Sequence, residues 1–235
     1  WDAQYFKAIG LGELADEGFG RIGTEVVMPG TPLGNGLTAE AATDLGLKPG
    51  TAVGASLIDA HAGGVGTLGA AIGNNTPNLE TRLAYIFGTS ACSMASARDP
   101  VFVPGVWGPY YSAMIPGLWL NEGGQSAAGA ALDHLVTLHP AAAEVAVLAK
   151  AENISVVEWL DREATRSGGA LSETMRLADG VHVVPEFLGN RSPFADPDAR
   201  AVIAGIGLER DHASLVALYI AGLTGIGYGL RQLLE

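Results

Sequence analysis

The chain has 235 residues, with 25 Asp and Glu against 13 Lys and Arg, a formal net charge of −12, 48% hydrophobic residues and 16% charged ones. That is too apolar and too sparsely charged for a disordered chain, and the acidity excludes general nucleic-acid binding, which needs Lys and Arg against phosphates. The single cysteine, Cys92, excludes an internal disulfide and a cysteine-based zinc site, and fits a reducing, cytoplasmic setting.

From Trp1 the chain enters "WDAQYFKAIGLGELADEGF", which predicts one or two short helices to about residue 19. "VMPGTPLGNGLT" (27–38) is a loop, because Pro-Gly and Asn-Gly pairs mark turns, and Thr38 then caps a short helix in "AEAATDLGL". "KPG" turns into "TAVGASLI" (51–58), expected to be a strand of small residues ending at Asp59. Segment 60–72 reads as a helix whose small residues let it lie close against a neighbour, and "GNNTPN" (73–78) is a turn cluster and the candidate domain boundary.

"RLAYIF" (82–87) and "ACSMAS" (91–96) form a hairpin about Gly88-Thr89-Ser90. Two more strands are expected at 110–115 and 118–121, then helices near 125–138, 141–151 and 154–166. "GVHVVPEF" supplies a short strand, "LGNRSPFADPDA" a long loop, and 211–235 a terminal helix. Within that helix, His212–Leu230 is nearly long enough to span a bilayer, but it carries Ser214, Thr224 and two Tyr between Asp211 and Arg231. It is read as a buried helix, with Gly225 and Gly229 allowing close packing and no membrane involved. Strands alternating with helices around one boundary give an α/β fold in two lobes. The helical sequence at both ends is expected to continue in a longer protein.

Several constellations carry chemistry. Gly64, Gly66 and Gly69 spell G-x-G-x-x-G, which would suit a nucleotide-dependent oxidoreductase if it directly followed a strand. The expected strand ends five residues before Gly64, so close helix packing accounts for these glycines better. Asp59, at the carboxyl end of that strand, can accept a proton from a substrate hydroxyl or can cap the next helix. Gly88, Thr89 and Ser90 can cradle a phosphate with backbone N–H groups and hydroxyls, or can simply turn the hairpin. The five histidines show no metal-ligand spacing; His61 alone lies near Asp59 and is assigned with it to substrate binding. Arg191, in "GNRSP", is the one loop arginine that could meet a ligand as well as brace the loop.

The order "DAHAGGVG", strand–"GTS"–strand, "LNEGGQSAAGAALDHL", "FLGNRSP" resembles the FGGY carbohydrate kinases of the sugar kinase, heat-shock and actin-like superfamily, across essentially all 235 residues. The block "VWGPYYSAMIPGLWLNEGGQS" is similar to the pentulose kinase branch, particularly its D-ribulokinase-like members. The resemblance implies ribonuclease-H-like lobes, residues 1–73 ending the first and 79–235 beginning the second. It implies ATP and Mg²⁺ as cofactors and a small sugar as substrate, with a pentulose phosphorylated on a terminal hydroxyl; the branch points to D-ribulose giving D-ribulose 5-phosphate. Asp59 matches the family's catalytic base; Gly88 and Thr89 match its second phosphate turn; Gly129 and Asp133 match positions facing the nucleotide. A non-catalytic sugar- or nucleotide-binding module of the same fold is the alternative, and a homo-oligomer is left open. The family's first phosphate loop and its late adenosine segment do not occur in this sequence, so the 235 residues alone are expected to be inactive.

Overall fold

The Asp2 carboxylate accepts from the Tyr5 N–H and the Thr38 hydroxyl from the Ala41 N–H, each pairing a donor that a helix's first turn leaves open. These caps start α1 (Ala3–Ala8) and α3 (Ala39–Asp44), with α2 (Gly12–Asp16) between them. The computed structural model describes residues 1–70 and 77–235, and the three helices belong to the first of its two units, Trp1–Ile58. Phe6 and Phe19 meet edge-on at 5.2 Å beside Trp1 and hold this unit's helical end. The strand expected over 51–58 does not form. Gly54 makes only an isolated bridge to Pro32, held by the Leu33 N–H on Val53 O and the Ala55 N–H on Thr31 O.

The second unit, Asp59–Glu235, is built on an antiparallel sheet of β1 (Leu83–Phe87), β2 (Ala91–Ala97), β3 (Trp107–Tyr111) and β4 (Trp119–Gln125), in the order β1-β2-β4-β3. Alternation along the strands sends Ala84, Ile86, Cys92, Met94 and Leu120 to one face. There they meet Leu68 of α4 (Asp59–Gly69) and Met114. Small residues permit the contact: a Cβ on Gly64 would stand 2.6 Å from Met114 Sδ, and one on Gly63 3.2 Å from Ile86 Cδ1. Gly66 and Gly69 face open space, and all three motif glycines lie inside a helix that begins five residues before Gly64. They do not form the strand-to-helix turn that a dinucleotide requires.

Tyr85 and Ala91 contribute to a second core built on α5 (Gly129–Leu138), α6 (Ala142–Ala151), α7 (Val156–Gly168) and α9 (His212–Leu234). Between α7 and α9 lie α8 (Leu171–Met175) and a two-stranded pair, β5 (His182–Val184) and β6 (Val202–Ala204); α8 and β6 were not expected from the sequence. By length and composition α9 could cross a membrane, yet half of its apolar window is buried within the unit. Gly222 faces Leu135, Gly225 the Val183 carbonyl and Gly229 the Gln125 amide, so glycine spacing sets how closely this helix packs.

One set of limits shifts, and one expectation lies mostly outside the described residues. The strands expected at 110–115 and 118–121 run instead over 107–111 and 119–125, because Ser112 takes a positive φ of 54° and ends β3. The expected boundary at 73–78 falls largely on residues 71–76, outside the described ones; among those described, the division lies between Ile58 and Asp59. The helix that begins with Asp59 groups with the sheet after it because His61, Gly64 and Leu68 are buried there.

Candidate active site

The Gly88-Thr89-Ser90 turn joins β1 to β2 and closes on itself, the Gly88 N–H donating to Ser90 O at 2.9 Å. Its carbonyls are taken by the start of α5: Ala128 N–H and Ala130 N–H donate to Thr89 O at 2.9 and 3.2 Å, and Gly129 N–H to Gly88 O at 2.8 Å. A side-chain cap is absent there, so the turn itself caps the helix. A Cβ on Gly129 would lie 2.7 Å from the Gly88 oxygen, so glycine is what admits the approach. Once the carbonyls are engaged, Thr89 and Ser90 present backbone N–H groups and hydroxyls without partners among the described residues. Such a set can serve as an anion nest. Asp133 stands exposed one turn beyond Gly129 on the same side of α5.

Asp59 opens α4 in an exposed position; one carboxylate oxygen accepts from the Ala60 N–H at 2.7 Å, and the other has no partner among the described residues. Asp59 thus steadies the helix start with one oxygen and leaves the other open to solvent. His61 is turned inward, 8% exposed, with Nδ1 3.1 Å from Ala113 O and Nε2 3.0 Å from Glu122 Oε2. A carbonyl only accepts, so Nδ1 carries a proton; Nε2 either donates to the Glu122 carboxylate or accepts from its acid form. Both ring nitrogens are engaged, so in place of the substrate binding assigned to it from the sequence, His61 holds Glu122.

Glu122, 9% exposed on β4, was not singled out in the sequence. It lies 61 residues from His61, and no spacing motif connects them. The available signal was its charge inside "LNEGG", since a carboxylate in a buried strand demands a partner. Cys92 shares this face: burial pushes its thiol up, the nearby Glu122 carboxylate adds to that, Arg191 opposes it, and Asp59 reinforces it weakly. Clefts of about 530 and 710 Å³ lie along α9, and neither is lined by Asp59, Thr89, Ser90 or Glu122. Among the described residues, no group of three or more His, Cys, Asp and Glu could by itself hold a metal ion.

A carboxylate with one free oxygen and a turn with unpartnered N–H groups lie on the same unit. Residues 83–235, well over half of the chain, match the C-terminal domain of the FGGY family of carbohydrate kinases. The chain belongs to this family. A FGGY carbohydrate kinase domain-containing protein of Danio rerio is 46% identical over 239 residues, covering 100% of this chain and 44% of that protein. A D-ribulokinase of Saccharomyces cerevisiae is 34% identical over 255 residues, covering 100% and 36% respectively. The chain thus spans less than half the length of these FGGY relatives. The xylulose kinase of Rhodospirillum rubrum superposes with a TM-score of 0.54 at 24% identity, over 87% of this chain and 35% of that one. That likeness shows that the chain shares the fold of that sugar kinase, in the α/β class expected from the sequence.

Proposed function

We propose that the protein is an ATP-dependent kinase that phosphorylates a terminal hydroxyl of a pentulose, converting D-ribulose to D-ribulose 5-phosphate. The observation that carries this reading is the presence, on one unit, of both the free Asp59 oxygen and the unpartnered N–H groups of Thr89 and Ser90. The choice of D-ribulose is supported by the 34% identity to a D-ribulokinase. Residues 1–73 would end the first lobe of the family's fold, and 79–235 would begin the second.

A sugar hydroxyl is a weak nucleophile, and the free Asp59 oxygen would take its proton as the new bond to phosphorus forms. The Thr89 and Ser90 N–H groups would hold the transferred group in line, supplying donors that need no reorganisation. Gly129 and Asp133 would border the nucleotide on α5. ATP, when bound, supplies the phosphoryl group, and Mg²⁺ would be carried mainly by its phosphates, as this ion commonly is. His61 would keep Glu122 in place beside the sugar.

The test is ATP turnover by the complete protein with D-ribulose, D-xylulose, L-ribulose and the pentitols, read by coupled ADP release. The expected result is the highest kcat/KM for D-ribulose. A higher value for any other sugar overturns the substrate assignment, and no sugar-dependent ADP release from any of them overturns the kinase reading.

A further inference from the structure

Arg191 lies in the loop between β5 and β6 and reaches back over the sheet face that carries Cys92. Its guanidinium carbon stands 5.5 Å from the centre of the Trp107 ring, and Nη1 is 4.0 Å from Cys92 Sγ. Beneath it is Gly124 of β4, paired with Cys92; a Cβ there would stand 3.2 Å from Arg191 Cδ and 2.6 Å from Ala91 O. The strand is therefore bare where the arginine crosses it.

This half-buried guanidinium has five N–H donors, and none reaches an oxygen among the described residues. A loop-bracing arginine would normally give several of them to carbonyls or carboxylates, as Arg82 does with Leu68 O and Ala70 O. The position along the strands is also specific. Met94 lies under α4, Cys92 two residues back lies under Arg191, and Ser90 of the turn is two residues further, roughly 7 Å along the chain. Arg191 thus stands between the part of the sheet that carries Glu122 and the anion nest.

We propose that Arg191 binds the phosphoryl group itself, while it is transferred and afterwards on the sugar phosphate product. The inference rests on the kinase reading above. In the step, the bond from the terminal phosphorus of ATP to its bridging oxygen breaks and ADP leaves with the electron pair. The sugar oxygen bonds to phosphorus, and its proton passes to Asp59. Arg191 gains and loses no proton; its N–H groups hold non-bridging oxygens, and Trp107 keeps the guanidinium plane in place.

The experiment uses the complete protein and its Arg191→Gln and Arg191→Lys variants, with thermal unfolding to confirm that each folds. Inorganic phosphate should slow alkylation of Cys92 by iodoacetamide in the wild type and have no such effect in Arg191→Gln. With the preferred sugar, Arg191→Gln should lower kcat on the order of 10²-fold, weaken product inhibition by the sugar phosphate at least tenfold and leave affinity for the free sugar unchanged, with Arg191→Lys intermediate. Equal phosphate protection of Cys92 in wild type and variant, or none in either, overturns the proposal. So does a rise in the sugar KM alone. The alkylation result does not depend on any sugar being a substrate, so it separates failure of this proposal from failure of the kinase reading.

Discussion

Gly129→Ala sets two effects of opposite sign against each other, and the structure decides between them. Helix propensity favours alanine by up to about 1 kcal/mol. The added Cβ, however, would lie 2.7 Å from the Gly88 oxygen, where a carbon normally keeps about 3.3 Å or more. The start of α5 must then withdraw from the turn by about 0.6 Å. That stretches the 2.8 Å bond from Gly129 N–H to its limit and breaks the 3.2 Å bond from Ala130 N–H. One bond lost and one weakened, at about 0.5–1.5 kcal/mol for a full bond, outweigh the propensity gain by on the order of 1 kcal/mol. In a domain of this size that lowers Tm by roughly 2–4 °C. Because the turn is displaced, ATP affinity of the complete protein should fall as well. Differential scanning calorimetry and titration calorimetry read the two effects. A variant as stable as the wild type, with unchanged ATP affinity, would refute the claim that α5 and the Gly88-Thr89-Ser90 turn form one clamped unit.

The other glycines and the cysteine give further outcomes. Gly66→Ala adds a Cβ that meets nothing within 4 Å and should stabilise the protein by up to about 1 kcal/mol. Gly64→Ala presses on Met114 and Met94 and should come out about 1–3 kcal/mol less stable than Gly66→Ala by urea denaturation; equal stabilities would contradict the packing of α4 on the sheet. Burial and the Glu122 carboxylate both disfavour the Cys92 thiolate. Its alkylation rate should therefore rise with pH through a midpoint above the ordinary cysteine range; Glu122→Gln should move that midpoint down and Arg191→Gln should move it up. Shifts of the opposite sign would mean that these charges do not face the thiol.

Much of both units was legible where the signals are local. Gly88-Thr89-Ser90 between two strand-like runs specifies a hairpin, and Thr38 caps its helix through a donor three residues away. Asp59 at the head of a small-residue helix was legible for the same reason. What escaped depends on contacts between distant residues. His61 looked like a ligand because it lies two residues from Asp59, but its partners are Ala113 and Glu122, 52 and 61 positions away. Nor could the sequence tell that Gly129 also admits the turn, since that depends on how close a Cβ there would come to the Gly88 carbonyl. The expected strand at 51–58 also failed: its composition suits a strand, but only Gly54 pairs, with Pro32.

The central claim is that Asp59 takes the proton of the sugar hydroxyl, and Asp59→Asn in the complete protein tests it most directly. Asparagine keeps a carbonyl oxygen for the Ala60 N–H, so the start of α4 is preserved while the basic oxygen is lost. Sugar-dependent ADP release should fall by at least about 10²-fold, with ATP and sugar affinities unchanged by titration calorimetry. Turnover within a few-fold of the wild type would contradict the assignment of Asp59 as the base.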